Sequence, residues 1–180
     1  MRFAAPILIA LFAAGAARAE TWREYAYPAQ GFAVSFPAAP KVEATTYRAA
    51  PGLSVNARRY SLTGEGTVYR VTVADLSGTG LDEDAAIESA VKAIAAAGAV
   101  TLNLRARVNR VFGRQLSVTH PDGGHSSIAL FYFDKKLYRI EGTVLGSSVD
   151  TASGEAIRFQ QSLRFTDGPG FLGGLFGFLR

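Results

Sequence analysis

The sequence predicts an α+β domain: a mostly antiparallel β-sheet with two helices packed against it. Short segments in which apolar and polar residues alternate recur along the chain, separated by Gly, Pro and Asp turns, which is the period-two mark of half-buried strands. Two other segments carry apolar residues at helical spacing, one in the middle of the chain and one near its end. The resulting order of strands, helix, strands, helix is the α+β pattern.

The chain opens on an export signal. Arg2 supplies a positive start, Phe3 to Ala17 form an apolar stretch, and Ala17-Arg18-Ala19 gives the small-x-small cleavage pattern. The stretch is shorter than the roughly 20 residues that cross a bilayer, so residues 1–19 are expected to be removed between Ala19 and Glu20 rather than to anchor the chain. The expected location is periplasmic or secreted, and the expected working unit is one domain over residues 20–167. Cysteine is absent, so neither a lipobox nor a disulfide is expected and core packing alone must hold the fold. The leader carries two arginines and no acid, so the formal net charge falls from +4 to +2 in the mature chain, which says little about partners. Export, in contrast, argues against a nucleic-acid partner.

The mature chain begins with Trp22 to Tyr27, followed by a turn over Pro28–Gly31. Phe32, Val34 and Phe36 then alternate with Ala33 and Ser35, and Pro37 and Pro40 end that strand because proline cannot donate to a ladder. Strands are expected near 42–48, 53–62 and 67–75, the last two joined through Gly64-Glu65-Gly66. Asp82 is a suitable N-cap for the first helix, with Glu83 and Asp84 complementing its positive end. Ile87, Ala90, Val91 and Ile94 form its apolar stripe, Glu88 and Lys92 an outward pair, and Gly98 is expected in the C′ role. Strands are next expected near 100–106, 108–119 and 126–133, with a turn at Pro121-Asp122-Gly123-Gly124. Ile128 to Phe133 is apolar on both faces, as a central, doubly covered strand would be. A turn at Asp134-Lys135-Lys136 leads to a strand over Leu137–Val144. A second helix follows, carrying Ala152, Ala156, Phe159 and Leu163, with Gly154 weakening it by about 1 kcal/mol.

Two segments carry a family likeness. Gly31-Phe32-Ala33-Val34-Ser35-Phe36-Pro37 followed by Pro40, together with Ala156-Ile157-Arg158-Phe159-Gln160-Gln161-Ser162-Leu163-Arg164-Phe165, resemble the PsbP-like superfamily. That group includes an extrinsic photosystem subunit, a nuclear Ran-binding protein and bacterial envelope proteins. The resemblance implies a β-rich N-terminus, a helix, three to four strands and a C-terminal helix. It implies roles in binding and assembly, and brings no catalytic residues with it. The lipobox cysteine of some bacterial relatives is missing here.

Several constellations offer chemistry. His120 and His125 flank the Pro121–Gly124 turn with Asp122 between them; across a hairpin the three could converge on a divalent metal, whereas the same residue types also suit an exposed tip. Arg105, Arg107, Arg110 and Arg114 cluster on two neighbouring segments and suggest contact with an anion, a lipid headgroup or an acidic partner, against the plainer alternative of a solvated sheet face. Arg105 and Arg107 are expected on one face, and Leu102, Leu104, Ala106 and Val108 on the other. The glycines of Ser77-Gly78-Thr79-Gly80 precede a helix, but Asp82, Glu83 and Asp84 occupy the end that would hold phosphate and no P-loop lysine follows. Nucleophilic catalysis has no support: the chain lacks cysteine, a Gly-x-Ser-x-Gly elbow and a recognisable triad pattern.

The C-terminal segment 168–180 sets Phe171, Leu172, Leu175, Phe176, Phe178 and Leu179 among glycines. It is too short to span a bilayer but long enough to lie in its interface or against a partner. The sequence therefore leads to an exported, non-catalytic protein without a cofactor that binds an envelope partner or assists assembly, with possible peripheral membrane contact through this tail. A small-ligand or anionic-lipid binder using the arginine-bearing strands is the alternative. A metal-dependent enzyme at His120, Asp122 and His125 comes last.

Overall fold

In the computed structural model, which describes residues 22–166, every segment expected to be extended is a strand. The leader 1–19 and the tail 168–180 lie outside the described residues. The elements are β1 (Arg23–Tyr27), β2 (Phe32–Phe36), β3 (Lys41–Ala50), β4 (Leu53–Thr63), β5 (Thr67–Asp75), α1 (Glu83–Ala95), β6 (Ala99–Val108), β7 (Val111–Thr119), β8 (His125–Phe133), β9 (Lys136–Val144), α2 (Val149–Gln161) and β10 (Arg164–Phe165). The α+β class expected from the pattern is the one observed.

Two sheets form. The larger has seven strands in the order β3-β4-β5-β9-β8-β7-β6, and every pairing in it is antiparallel. Five of its six pairings join strands consecutive in sequence; the exception is the β5–β9 pairing, which brings the two halves of the domain together. The smaller sheet, β1-β2-β10, was not foreseen, because β10 is only two residues long and joins β2 from the far end of the chain. Two hairpin turns place both central residues in the left-handed region: Asn109-Arg110 with φ 47 and 71, and Asp134-Lys135 with φ 48 and 56. Such turns match the right-handed twist of the strands, and Asn and Asp tolerate that conformation.

The large sheet divides two cores. On one face Ile87, Ala90 and Ile94 of α1 meet Leu116, Ile128, Leu130 and Leu137. On the other, Phe159 of α2 and Phe32, Val34 and Phe36 of the small sheet cover Tyr60, Tyr69, Val71, Phe131, Tyr138 and Ile140. The doubly apolar run in β8 follows directly: Ile128 and Leu130 enter the α1 core, Ala129 and Phe131 the other. Phe159 lies 4.8 Å from the Phe36 ring and 5.2 Å from that of Tyr69, whose hydroxyl donates to Glu155 at 2.7 Å.

Two expectations need correction, and a third cannot be placed. Gly98 is not a left-handed C′ residue: α1 closes on Ala96 in the right-handed region, its N–H bonded back to Lys92. Gly98 is small for another reason, since a Cβ there would sit 2.7 Å from Val118 Cγ1 and 2.8 Å from the Thr119 carbonyl oxygen. Leu163 is buried as expected but lies past the end of α2, in the link to β10. Ala152 is among the residues whose side chains lie outside the described set.

Candidate functional site

The β6–β7 hairpin is the most unusual surface of the domain. Among the described residues β6 is an edge strand, paired only with β7, so its outer row of backbone groups has no described strand beside it. It runs for ten residues and is mostly exposed. Leu102 and Leu104, 37% and 54% exposed, share the face of Ala106 and Val108, which pack against the aromatic core. Arg105 and Arg107 alternate onto the opposite face, as expected. Residues 99–119 hold four arginines and neither acid nor lysine, so this edge carries an undiluted positive charge.

The four arginines are not one cluster. Arg105 stands directly across from Arg114, and Arg107 across from Phe112, which is 59% exposed. Arg110 occupies the hairpin tip. Arg105 and Arg114 line one side of a cleft of about 490 Å3, with Phe112 and Gly113 beside them and Glu83, Asp84, Ile87 and Glu88 of α1 on the other side. Among the described residues no ion pair joins the two walls. The start of α1 behaves as an ordinary cap: Asp82 accepts from the Ala85 N–H at 2.8 Å, using the end of the helix that a phosphate would need.

His120, Asp122 and His125 lie on one turn but engage different partners. His125 Nδ1 is 3.1 Å from the Thr119 hydroxyl, and His120 Nε2 is 2.7 Å from that of Ser126, which is also 2.7 Å from Thr143 Oγ1. Consecutive strand residues point to opposite faces, so hydrogen bonds to Ser126 and Thr119 put the imidazoles on opposite sides of the sheet. The Asp122 carboxylate accepts from the Gly124 N–H at 3.0 Å, closing the turn on itself. Among the described residues no group of three His, Asp or Glu is placed to hold a metal ion. The tail residues Phe171, Leu172, Leu175, Phe176, Phe178 and Leu179 lie outside the described residues.

The structure also brings together charges that sequence reasoning missed. Glu141 on β9 is 7% exposed at its side chain, with Arg139 Nη2 at 2.9 Å and Arg70 Nη1 at 3.5 Å. Arg59 on β4 lies in the same region, paired with Glu43 at 3.5 Å. Period-two spacing puts Arg139 and Glu141 on one face, but nothing local says that β5 and β9 are neighbours.

Comparison with solved structures identifies the class of fold. The chain resembles the solution structure of cyanobacterial PsbP (CyanoP) from Synechocystis sp. PCC 6803, with a TM-score of 0.53 and 13% sequence identity, over 86% of this chain and 98% of that one. The domain therefore has the PsbP-like α+β fold, as the Gly31–Pro40 and Ala156–Phe165 segments implied. No family model matches the chain, and no curated protein sequence matches it.

Proposed function

We propose that this is an exported, non-catalytic protein that binds an envelope partner by accepting one of its extended segments along the β6 edge. The observation that carries this reading is the ten-residue edge strand with Leu102 and Leu104 exposed on one face and Arg105 and Arg107 on the other. Exposed edges are templates for strand addition, in which backbone hydrogen bonds give affinity and alternate side chains give selectivity. The complementary segment is alternately apolar and acidic, its apolar side chains meeting Leu102 and Leu104 and its carboxylates the two guanidiniums. Export rests on the leader 1–19.

The test is affinity capture from the detergent-solubilised envelope by the mature chain, by its Leu104→Asp and Arg105→Ala/Arg107→Ala variants, and by a chain ending at Asp167. Capture of the same partner by the mature and shortened chains, lost in both edge variants, supports the reading. Capture that survives both edge variants, or that disappears only with the tail, overturns it; the second result transfers the role to Phe171, Leu172 and the other apolar tail residues.

A second reading is favoured by the pairing of Arg105 with Arg114 in the cleft. In it the hairpin binds an anionic ligand or lipid headgroup. It requires salt-sensitive binding to phosphatidylglycerol vesicles that weakens in Arg105→Ala/Arg114→Ala; unchanged binding ends it.

A further inference from the structure

On the α1 side of the large sheet, three arginines from three adjacent strands stand close together. Register aligns Arg59, Thr72 and Arg139 in one row and Ser61, Arg70 and Glu141 in the next. Registered residues share a face, so the three guanidinium stems rise around Thr72, which is itself buried. Glu141 and Glu43 are the carboxylates paired to them, at 2.9 to 3.5 Å. Lys41 also holds Glu43, at 2.8 Å, so three guanidiniums and one ammonium face two carboxylates and leave positive charge in excess.

The hydrogen bonds are also incomplete. The Nε atoms of Arg59, Arg70 and Arg139 are all shielded from solvent with no hydrogen-bond partner. Buried donors are rarely left unpaired, and a group of orphans in one place calls for a common explanation. The side chains are not sealed in, being 38%, 40% and 26% exposed. Something small can therefore reach them from solvent.

We infer that Arg59, Arg70 and Arg139 form a binding site for a phosphate-type oxyanion, free or carried on a lipid headgroup. Such an anion supplies the missing negative charge and several acceptor oxygens at once. The planar fork of guanidinium matches its geometry, which a lysine ammonium would not. Glu141 holds Arg70 and Arg139 upright and competes with the ligand for their positive charge. The site is separate from the β6 edge and independent of the reading proposed for it.

The test uses the mature chain with isotope-labelled arginine and follows the Nε–H resonances by NMR during titration with inorganic phosphate. The resonances of Arg59, Arg70 and Arg139 are expected to move together and to saturate. Arg139→Gln should weaken binding roughly tenfold, the effect of removing one charge-assisted pair. Glu141→Gln should tighten it by roughly the same factor, because a competing charge is gone. If that variant does not fold, Arg59→Gln, at a more exposed position, should weaken binding in its place. Phosphatidylglycerol vesicles that retain the protein and release it on addition of phosphate would assign the anion to a lipid; phosphate binding without vesicle binding would assign a free one. Resonances unmoved at millimolar phosphate, or phosphate bound by Arg59→Gln and Arg139→Gln as tightly as by the unsubstituted chain, would overturn the site and leave the cluster a structural ion network.

Discussion

Gly142 on β9 and Ala156 on α2 meet backbone to backbone: a Cβ on Gly142 would lie 2.7 Å from both the Cα and the carbonyl oxygen of Ala156. Glycine is required here for space, since its φ is not positive. The contact sets how deeply α2 seats on the sheet, and so how Phe159 meets Phe36 and Tyr69. Gly142→Ala must push the helix away and is expected to destabilise the domain by about 1–3 kcal/mol, as overpacking does. Gly154 lies in the same helix with nothing within 4 Å of its Cβ position. Gly154→Ala is expected to stabilise by about 1 kcal/mol, because it gains helix propensity without a clash. Urea unfolding of the two variants reads both signs; equal effects would contradict the seating of α2 described above.

The start of α1 offers a second measurement. Asp82 caps the Ala85 N–H from an extended backbone conformation, and Glu83 and Asp84 follow in the first turn. Asp82→Ala should cost about 1 kcal/mol, whereas Asp82→Asn, which keeps the acceptor, should cost much less. Similar losses in the two variants would show that charge, not the hydrogen bond, dominates.

Alkaline pH should unfold the domain through its tyrosines. Burial, then the neighbouring Tyr60 and Tyr25, pushes the Tyr27 hydroxyl up to about 12. Burial also raises Tyr60, and raises Tyr47 against a partly offsetting Arg139. An acid raised on folding favours the folded state fully below its unfolded value, near 10, and loses that contribution as pH climbs toward the folded value. Unfolding free energy should therefore hold steady up to about pH 10 and fall above it. Tyrosinate absorbance should show a late-titrating group that Tyr27→Phe removes. On the acid side the sign reverses: hydrogen bonds from Ser77 hold Asp75 below its ordinary range, so its contribution is lost as pH drops through the folded value.

Zinc should leave the melting temperature unchanged, because His120 and His125 are engaged on opposite sides of the sheet. Ser126 is 2% exposed and joins His120 to Thr143. Ser126→Ala leaves both partners short of a bond and should cost about 1–3 kcal/mol. A zinc-dependent rise in melting temperature that His125→Ala abolishes would restore the metal reading of the turn.

Short-range patterns were the legible part of this fold. Phe32-Ala33-Val34-Ser35-Phe36, the Asp82-capped stripe of Ile87, Ala90 and Ile94, and the doubly apolar Ile128–Phe133 each report their own environment. Their signal comes from residues within one or two turns or pleats. The candidate site was legible in part. The alternation that separates Leu102 and Leu104 from Arg105 and Arg107 is local, and it holds. That β6 would be an edge was not visible, because an edge is defined by the absence of a neighbour.

The sequence by itself determined the elements other than β10, their order, the α+β class and the face on which most side chains of each strand fall. These follow from backbone propensity, turn chemistry and period, all of which act over a few residues. Only the tertiary structure decided that β5 pairs with β9, that β10 returns to make a second sheet, and that Gly142 lets α2 touch it. The same long-range pairing set Arg59, Arg70 and Arg139 around one patch, although 80 positions separate the first from the last in chain order. Register between distant segments is chosen by burying two cores at once, and no local stretch of the chain holds that information.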